Sequence, residues 1–223
     1  MATRGRIACM LAGLGLTAAF GPAPVRAERI VNGGFETPVL AAGVTYVTLS
    51  GADIPGWTVA PGTVDLIRDD WPAFEGNQSI DLSGSPGPPG TAIFQSFASI
   101  AGESYVLSFR YANNTGVNSA SGVVEILGMG GSALLSDPLT HAGSTLAAMD
   151  YLLYTRTFTA DSATTTLRFT HGTSNLADFG GLVLDAVSVL PAGVVPEPTA
   201  GVLAVLGCLG WGRVGGGRRR RMG

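Results

Sequence analysis

The stretch Tyr105-Val106-Leu107-Ser108-Phe109-Arg110-Tyr111 sets the tightest constraint on what this chain can become. Tyr105, Leu107, Phe109 and Tyr111 fall on one side of an extended backbone, Ser108 and Arg110 on the other. A period of two residues belongs to a strand with one dry and one wet face. Leu167 and Phe169 against Thr166, Arg168 and Thr170 repeat it. Strands of this kind bury their dry faces against each other, so the expectation is antiparallel sheets packed in pairs.

The rest of the central chain agrees. Short β-runs are broken by Gly, Pro, Asn and Ser, and no helical period runs longer than about two turns. The runs are Arg29–Val31, Val44–Ser50, Trp57–Ile67 (bent at Pro61-Gly62), Gln78–Leu82 and Thr91–Phe97. They continue with Tyr105–Tyr111, Gly122–Leu127, Leu152–Thr159, Thr164–Thr170 and Leu182–Leu190. Ser83–Gly90 and Asn113–Ser121 read as exposed loops, Gly143–Asp150 as a loop or one helical turn. With no crossover helices, the predicted fold is all-β, an antiparallel jelly-roll sandwich.

Both ends read as address labels. Arg4 and Arg6, the apolar run Ile7–Phe20 and the small-residue site Val25-Arg26-Ala27 form a signal peptide, predicted at 1–27 and removed by signal peptidase. At the other end Pro196-Glu197-Pro198 precedes Thr199–Gly212, an uncharged run of 14 residues, and then Arg213 and Arg218, Arg219, Arg220 and Arg221. Apolar residues followed at once by arginines form a stop-transfer pattern with the basic end cytoplasmic. As a helix the run reaches roughly 21 Å, short of the about 30 Å hydrocarbon core. It suits a segment held briefly in the inner membrane and then cut off. The predicted division is a signal peptide at 1–27, a sandwich at 28–192 and a sorting segment at 193–223.

Removing those ends changes the charge. The whole chain is formally −3, yet residues 28–195 hold five arginines against fifteen carboxylates, a formal −10. An acidic surface argues against nucleic acid and anionic lipid as partners. The two cysteines, Cys9 and Cys208, both lie in the end segments, so no disulfide can staple the body.

The tail, a PEP motif followed by a transmembrane run and an arginine cluster, resembles the PEP-CTERM sorting signal of Gram-negative bacteria. That resemblance implies an exosortase as processing partner and a link to exopolysaccharide. The body carries an ordered set of short motifs: NGGFE (Asn32–Glu36), IPGW (Ile54–Trp57), VDLI (Val64–Ile67), GNQSIDLSG (Gly76–Gly84), IFQSF (Ile93–Phe97), GESYVLSFRYANN (Gly102–Asn114), RTFTADSATTTLRF (Arg156–Phe169) and LDAVSV (Leu184–Val189). In that order they resemble the choice-of-anchor C family, and they are similar to plant cell-wall proteins built from the same motifs. The resemblance implies a galactose-binding-like sandwich, exported and held at the cell surface or outside the cell. Related chains often show LDNVSV at the last motif, so Ala186 stands where an asparagine would be.

Two sets of residues could carry chemistry. Glu36 and Asp185 stand near opposite ends of the body, whose first and last strands can lie side by side in a sandwich. Asp185 shares strand parity with Val183, Val187 and Val189, which would turn it inward. The pair would suit one structural Ca²⁺, as in related carbohydrate-binding sandwiches, with carbonyl oxygens completing the shell. The alternative is that Glu36 caps backbone amides and Asp185 pairs with an arginine. The second set is aromatic. Trp71 lies in a polar loop and reads as an exposed platform for a sugar face, with Tyr111 a further ring and Asp65, Asp70 and Asn113 to take hydroxyls. Trp57, beside Pro55-Gly56, reads as core. Asp69 and Asp70 are adjacent and so unsuited to cleaving a glycoside between them. His141, read as a loop residue, and His171 lack nucleophile partners. The expected function is a non-enzymatic, exported sandwich that binds extracellular polysaccharide. The alternative is a structural matrix protein making protein contacts without a sugar pocket.

Overall fold

The computed structural model describes residues 28–175 and 179–193. The segment expected to be a signal peptide and the sorting motif, with Pro196, Glu197, Pro198 and Arg218–Arg221, lie outside the described residues. Among the described residues no helix is long and apolar enough to cross a membrane.

The described chain is all-β, as its period-two pattern requires. Ten strands follow one another: β1 Tyr46–Gly51, β2 Thr58–Ile67, β3 Ser79–Asp81, β4 Ala92–Ala98 and β5 Ser104–Asn113, then β6 Ser119–Leu127, β7 Ala133–Ala142, β8 Leu152–Thr159, β9 Thr164–Ser174 and β10 Leu182–Pro191. One 3₁₀ turn, Met129–Gly131, is the only helical element among the described residues. The hydrogen-bonded order is β7-β6-β9-β4-β2-β3-β10-β5-β8, with β1 on β2, and the pairings are antiparallel.

This path folds over at β2. Thr58 and Val59 pair with Phe94 and Ile93 of β4, whereas Asp65, Leu66 and Ile67 pair with β3. The change of partner occurs across Pro61-Gly62, where Gly62 takes φ +85, a left-handed conformation that suits glycine. One layer is therefore β7-β6-β9-β4 with the first half of β2. The other is β3-β10-β5-β8 with its second half. Phe109 of β5 meets Phe169 of β9 edge-on at 4.9 Å between the layers, and Trp57 lies 6.3 Å from the same ring. Leu107, Phe109, Val124, Ile126, Leu167, Phe169, Leu182 and Leu184 are all fully buried there. Each such side chain contributes about 1.5–3 kcal/mol relative to an exposed one. With no cysteine in this body, apolar burial is what holds it.

Three differences from the sequence-based expectation have local causes. β7 was not expected, because Pro138 interrupts its run; it is an edge strand, where a missing N–H costs no ladder bond. Arg29–Val31 is not a strand, although the Arg29 N–H bonds the Val189 carbonyl at 3.0 Å. Asn113–Ser121 is less a loop than expected, since Asn113 and Val117 are buried and β6 already starts at Ser119.

Candidate functional site

The first motif folds as a plug beside β10. The Val187 N–H donates to the Gly33 carbonyl at 3.0 Å, and a Cβ on Gly33 would stand 1.9 Å from the Val187 carbonyl oxygen. Only glycine permits that approach. Phe35 then enters the core against Trp57 (5.4 Å), whose Nε1 donates to the Asn32 carbonyl at 3.1 Å. Trp57 is core, as its Pro-Gly context indicates.

Glu36 and Asp185 are brought onto one loop. Glu36 Oε1 accepts from the backbone amides of Asn77 (2.7 Å) and Gln78 (2.9 Å). Asp185 Oδ2 accepts from Phe74 (2.8 Å) and Glu75 (3.0 Å), and its Oδ1 from Ala186 (2.7 Å). The inward orientation expected for Asp185 is corrected. The register of β10 shifts between Asp185 and Ser188, with Ala186 at φ +52. This bulge reverses parity, so Leu184 and Val187 share the core while Asp185 faces out with Val183, under the Phe74–Glu75 segment. Glu36 Oε1 and both Asp185 oxygens meet amide donors, and among the described residues there is no group of three or more His, Cys, Asp or Glu placed to hold a metal. Glu36 thus caps backbone amides, and Asp185 takes amides where the alternative reading had an arginine. Burial without a cationic partner pushes the Asp185 carboxyl up to about 7, against the pull of its three amides.

The aromatic set divides between two faces of one sheet. Trp71 is corrected from exposed platform to core: it is 4% exposed, packs with Ile67, Ala112, Met149 and Val183, and donates from Nε1 to Ser79 Oγ at 3.1 Å. A polar loop sequence concealed this because the loop folds down over an apolar outer patch. Asp65 is buried on the outer side of β2, accepting from Thr48 Oγ1 (2.6 Å) and Ser85 Oγ (2.8 Å). Asp70 is exposed on the following loop. Tyr111 and Asn113 face the other way, toward the interior. Tyr111 is half-buried against the main core, and Asn113 is fully buried, with Oδ1 2.7 Å from His141 Nδ1. These five residues do not form one site.

What the sheet does expose is a groove on the outer face of the other layer. Register aligns Ser136, Glu125, Arg168 and Phe94 on one rung across β7, β6, β9 and β4. On the neighbouring rungs stand Val123, Thr170 and Ala92, and Leu127 with Thr166. Ala60, Pro61 and Gly90 close one side, and the open volume is about 640 Å³. Arg168 grips Glu125 from two nitrogens, at 2.6 Å (Nη2) and 2.8 Å (Nε) to one oxygen. That pair stands next to the half-buried Phe94, the register partner of Arg168 on β4. An aromatic face, an ion pair and a rim of hydroxyls can bind a flat, hydroxylated, partly apolar molecule.

Strand alternation in the sequence carries the outward orientation of these residues. In IFQSF, Ile93 and Phe97 are core, which leaves Phe94 outward. Arg168 and Glu125 are outward in TLRFT and VVEIL by the same alternation. Their meeting on one rung depended on which strands pair.

The histidines serve packing. His141 is a buried residue of β7, not of a loop, with Nε2 3.0 Å from the Asp150 carbonyl. His171 is buried on β9 and neither ring nitrogen has a hydrogen-bond partner; burial pushes its pKa below the usual value and keeps the ring neutral.

Solved structures of the same architecture include the carbohydrate-binding module TmCBM61 in complex with β-1,4-galactotriose, at 13% identity and a TM-score of 0.50, over 74% of this chain and 99% of that one. An arabinose-bound α-L-arabinofuranosidase, MgGH51, matches at 14% identity and a TM-score of 0.52, over 77% of this chain and 27% of that one. At such identities the likeness is one of fold. Halomucin of Haloquadratum walsbyi is 34% identical over 166 residues, 72% of this chain, and this chain spans 2% of its length. The family model described as "Protein of unknown function (DUF642)" matches residues 28–190, all but the last residue of β10, and the chain belongs to that family.

Proposed function

We propose that this chain is an exported, non-catalytic sandwich that binds extracellular polysaccharide in the groove over β7, β6, β9, β4 and β2. One observation carries the reading: Phe94 lies on the same rung as the paired Arg168 and Glu125 in an open groove of about 640 Å³. Sugar C–H faces stack on an aromatic ring, and a fixed Arg–carboxylate pair offers both donors and an acceptor to neighbouring hydroxyls. The carbohydrate-binding fold of the similar structures supports the same reading. On this reading the precursor is held at the inner membrane and sorted by an exosortase through a PEP-CTERM tail, and the body is of choice-of-anchor C type.

The direct test is affinity electrophoresis of the mature body in gels containing xylan, galactan, glucan or mannan. Retardation by at least one polymer that is lost in Phe94→Ala is expected. Mobility unchanged in every polymer would overturn the reading. A second reading, a matrix protein making protein contacts, draws on the exposed Phe74, Leu152 and Leu153 at one end of β8. Concentration-dependent self-association without glycan retardation would favour it.

A further inference from the structure

The groove continues past Val123 and Thr170. Along β6 the outward side runs on to Ser121 and Ser119, and along β7 it runs from Ser136 through Pro138 to Thr140 and Ala142. Ser119, Ser121, Thr140 and Ala142, with Thr173, Ser174 and Asn175 of β9 and its end, border a second open cleft of about 450 Å³. The pairing of β6 with β9 shifts register between Ala120 and Gly122. Such bulges re-aim side chains and recur beside binding sites. Here the bulge turns Thr173 toward Ser121, whose Oγ accepts from the Thr173 N–H at 2.9 Å and lies 3.1 Å from Thr173 Oγ1. Gly172 keeps the floor low, since a Cβ there would stand 2.6 Å from Ser121 Oγ. The lining is hydroxyls, an amide and small side chains; its one ionisable group, His141, is buried and engaged by Asn113 and Asp150.

We infer that this second cleft is a subsite for the same polysaccharide, so that the unit recognised is a segment of several neutral sugars rather than a single sugar or a chain end. The inference rests on the polysaccharide reading of the first groove. Length follows from continuity: both clefts are open, and both take in outward residues of β6 and β7, Val123 and Ser136 in the first and Ser121 and Thr140 in the second. Neutrality follows from charge. The charged residues lining the two clefts are Arg168 and Glu125, which neutralise each other, on a body of formal charge −10. A uronic-acid polymer meets repulsion there and no unpaired cation along the path.

The test is calorimetric titration of the mature body with xylo-, gluco-, galacto- and manno-oligosaccharides, from disaccharide to hexasaccharide, and with oligogalacturonates. Affinity for the preferred series should rise about tenfold or more between disaccharide and hexasaccharide. Ala142→Glu, which fills the second cleft from the exposed side of β7, should remove that gain and leave disaccharide binding unchanged. Thr140→Glu is the second variant, should the first fail to fold. Phe94→Ala should weaken every length. Equal affinity at all lengths, or a hexasaccharide gain that survives both cleft variants, overturns the second subsite while leaving the first groove standing. Oligogalacturonates binding as tightly as the neutral series overturns the neutral class. No binding by any sugar overturns the groove reading itself.

Discussion

Asp185 shows how far one side chain can organise its surroundings. It ties the Phe74–Glu75 segment to β10 through two amide hydrogen bonds and accepts a third from Ala186, at a bulge where Ala186 occupies a left-handed conformation. Truncation to Ala leaves those amides without their acceptor, so Asp185→Ala should cost about 2–3 kcal/mol, read as a loss in denaturant midpoint. Chelation with EDTA should leave the melting temperature of the native body unchanged, because amide donors rather than a cation satisfy the carboxylate. A fall of several degrees on chelation would contradict the assignment. Ala186→Gly is expected to be neutral or to stabilise by up to about 1 kcal/mol, since the left-handed region penalises a Cβ. Gly33→Ala should be the opposite case. Its Cβ would meet the Val187 carbonyl at 1.9 Å, and loss of more than about 3 kcal/mol is expected because backbone cannot yield as a flexible side chain can.

At the scale of elements, buried carboxylates fasten loops to strands. Asp81 of β3 accepts from Ser83 (2.9 Å) and Gly181 (2.9 Å) backbone amides and from Asn114 Nδ2 (2.7 Å), joining three connections at one sheet end. Burial outweighs these bonds and pushes its carboxyl up to about 7, with the nearby Asp65 adding to the rise. Asp185 is raised similarly. A folded-state value above the unfolded one means the native protein holds protons that the unfolded chain has released. The stabilisation is complete below about pH 4 and is lost as pH rises through about 7. Thermal melts should therefore show the melting temperature falling between about pH 5 and pH 8. Asp81→Asn should flatten part of that slope. A melting temperature that rises over the same interval would refute this account. The ends of the layers are tied differently: Tyr154 of β8 donates to Asp137 of β7 at 2.7 Å, and Arg156 reaches the same carboxylate at 3.1 Å. The bonded phenol is pushed well above its usual range by burial and by that carboxylate.

For the molecule as a whole, the two layers do different work. One outer face is sealed by the loop carrying Trp71 and by Met149, which cover Ile67, Ala112 and Val183. The other is left open and holds the groove. Binding across it should depend little on ionic strength, because contacts to uncharged hydroxyls are not screened as charge pairs are. Retardation by the preferred polymer should persist between low and physiological salt. Loss of most of the affinity over that range would point to an anionic partner instead.

The sequence by itself determined the class of fold. Alternation at Tyr105–Tyr111 and Thr166–Thr170, the bend at Pro61-Gly62 and the core role of Trp57 were legible because each is a local property of a few consecutive residues. The approach of the first motif to β10 was legible only as a possibility. What decided the site was long-range pairing. Strand parity placed Arg168, Glu125 and Phe94 outward, but only the register of β4 with β9 and β9 with β6 set them on one rung. A single inserted residue at Ala186 reversed the side on which Asp185 lies, and a loop folded onto the sheet turned Trp71 from surface to core. Both follow from the same physics: side-chain direction is fixed locally by alternation, whereas bulges, registers and covering loops are settled by which distant surfaces must be buried together.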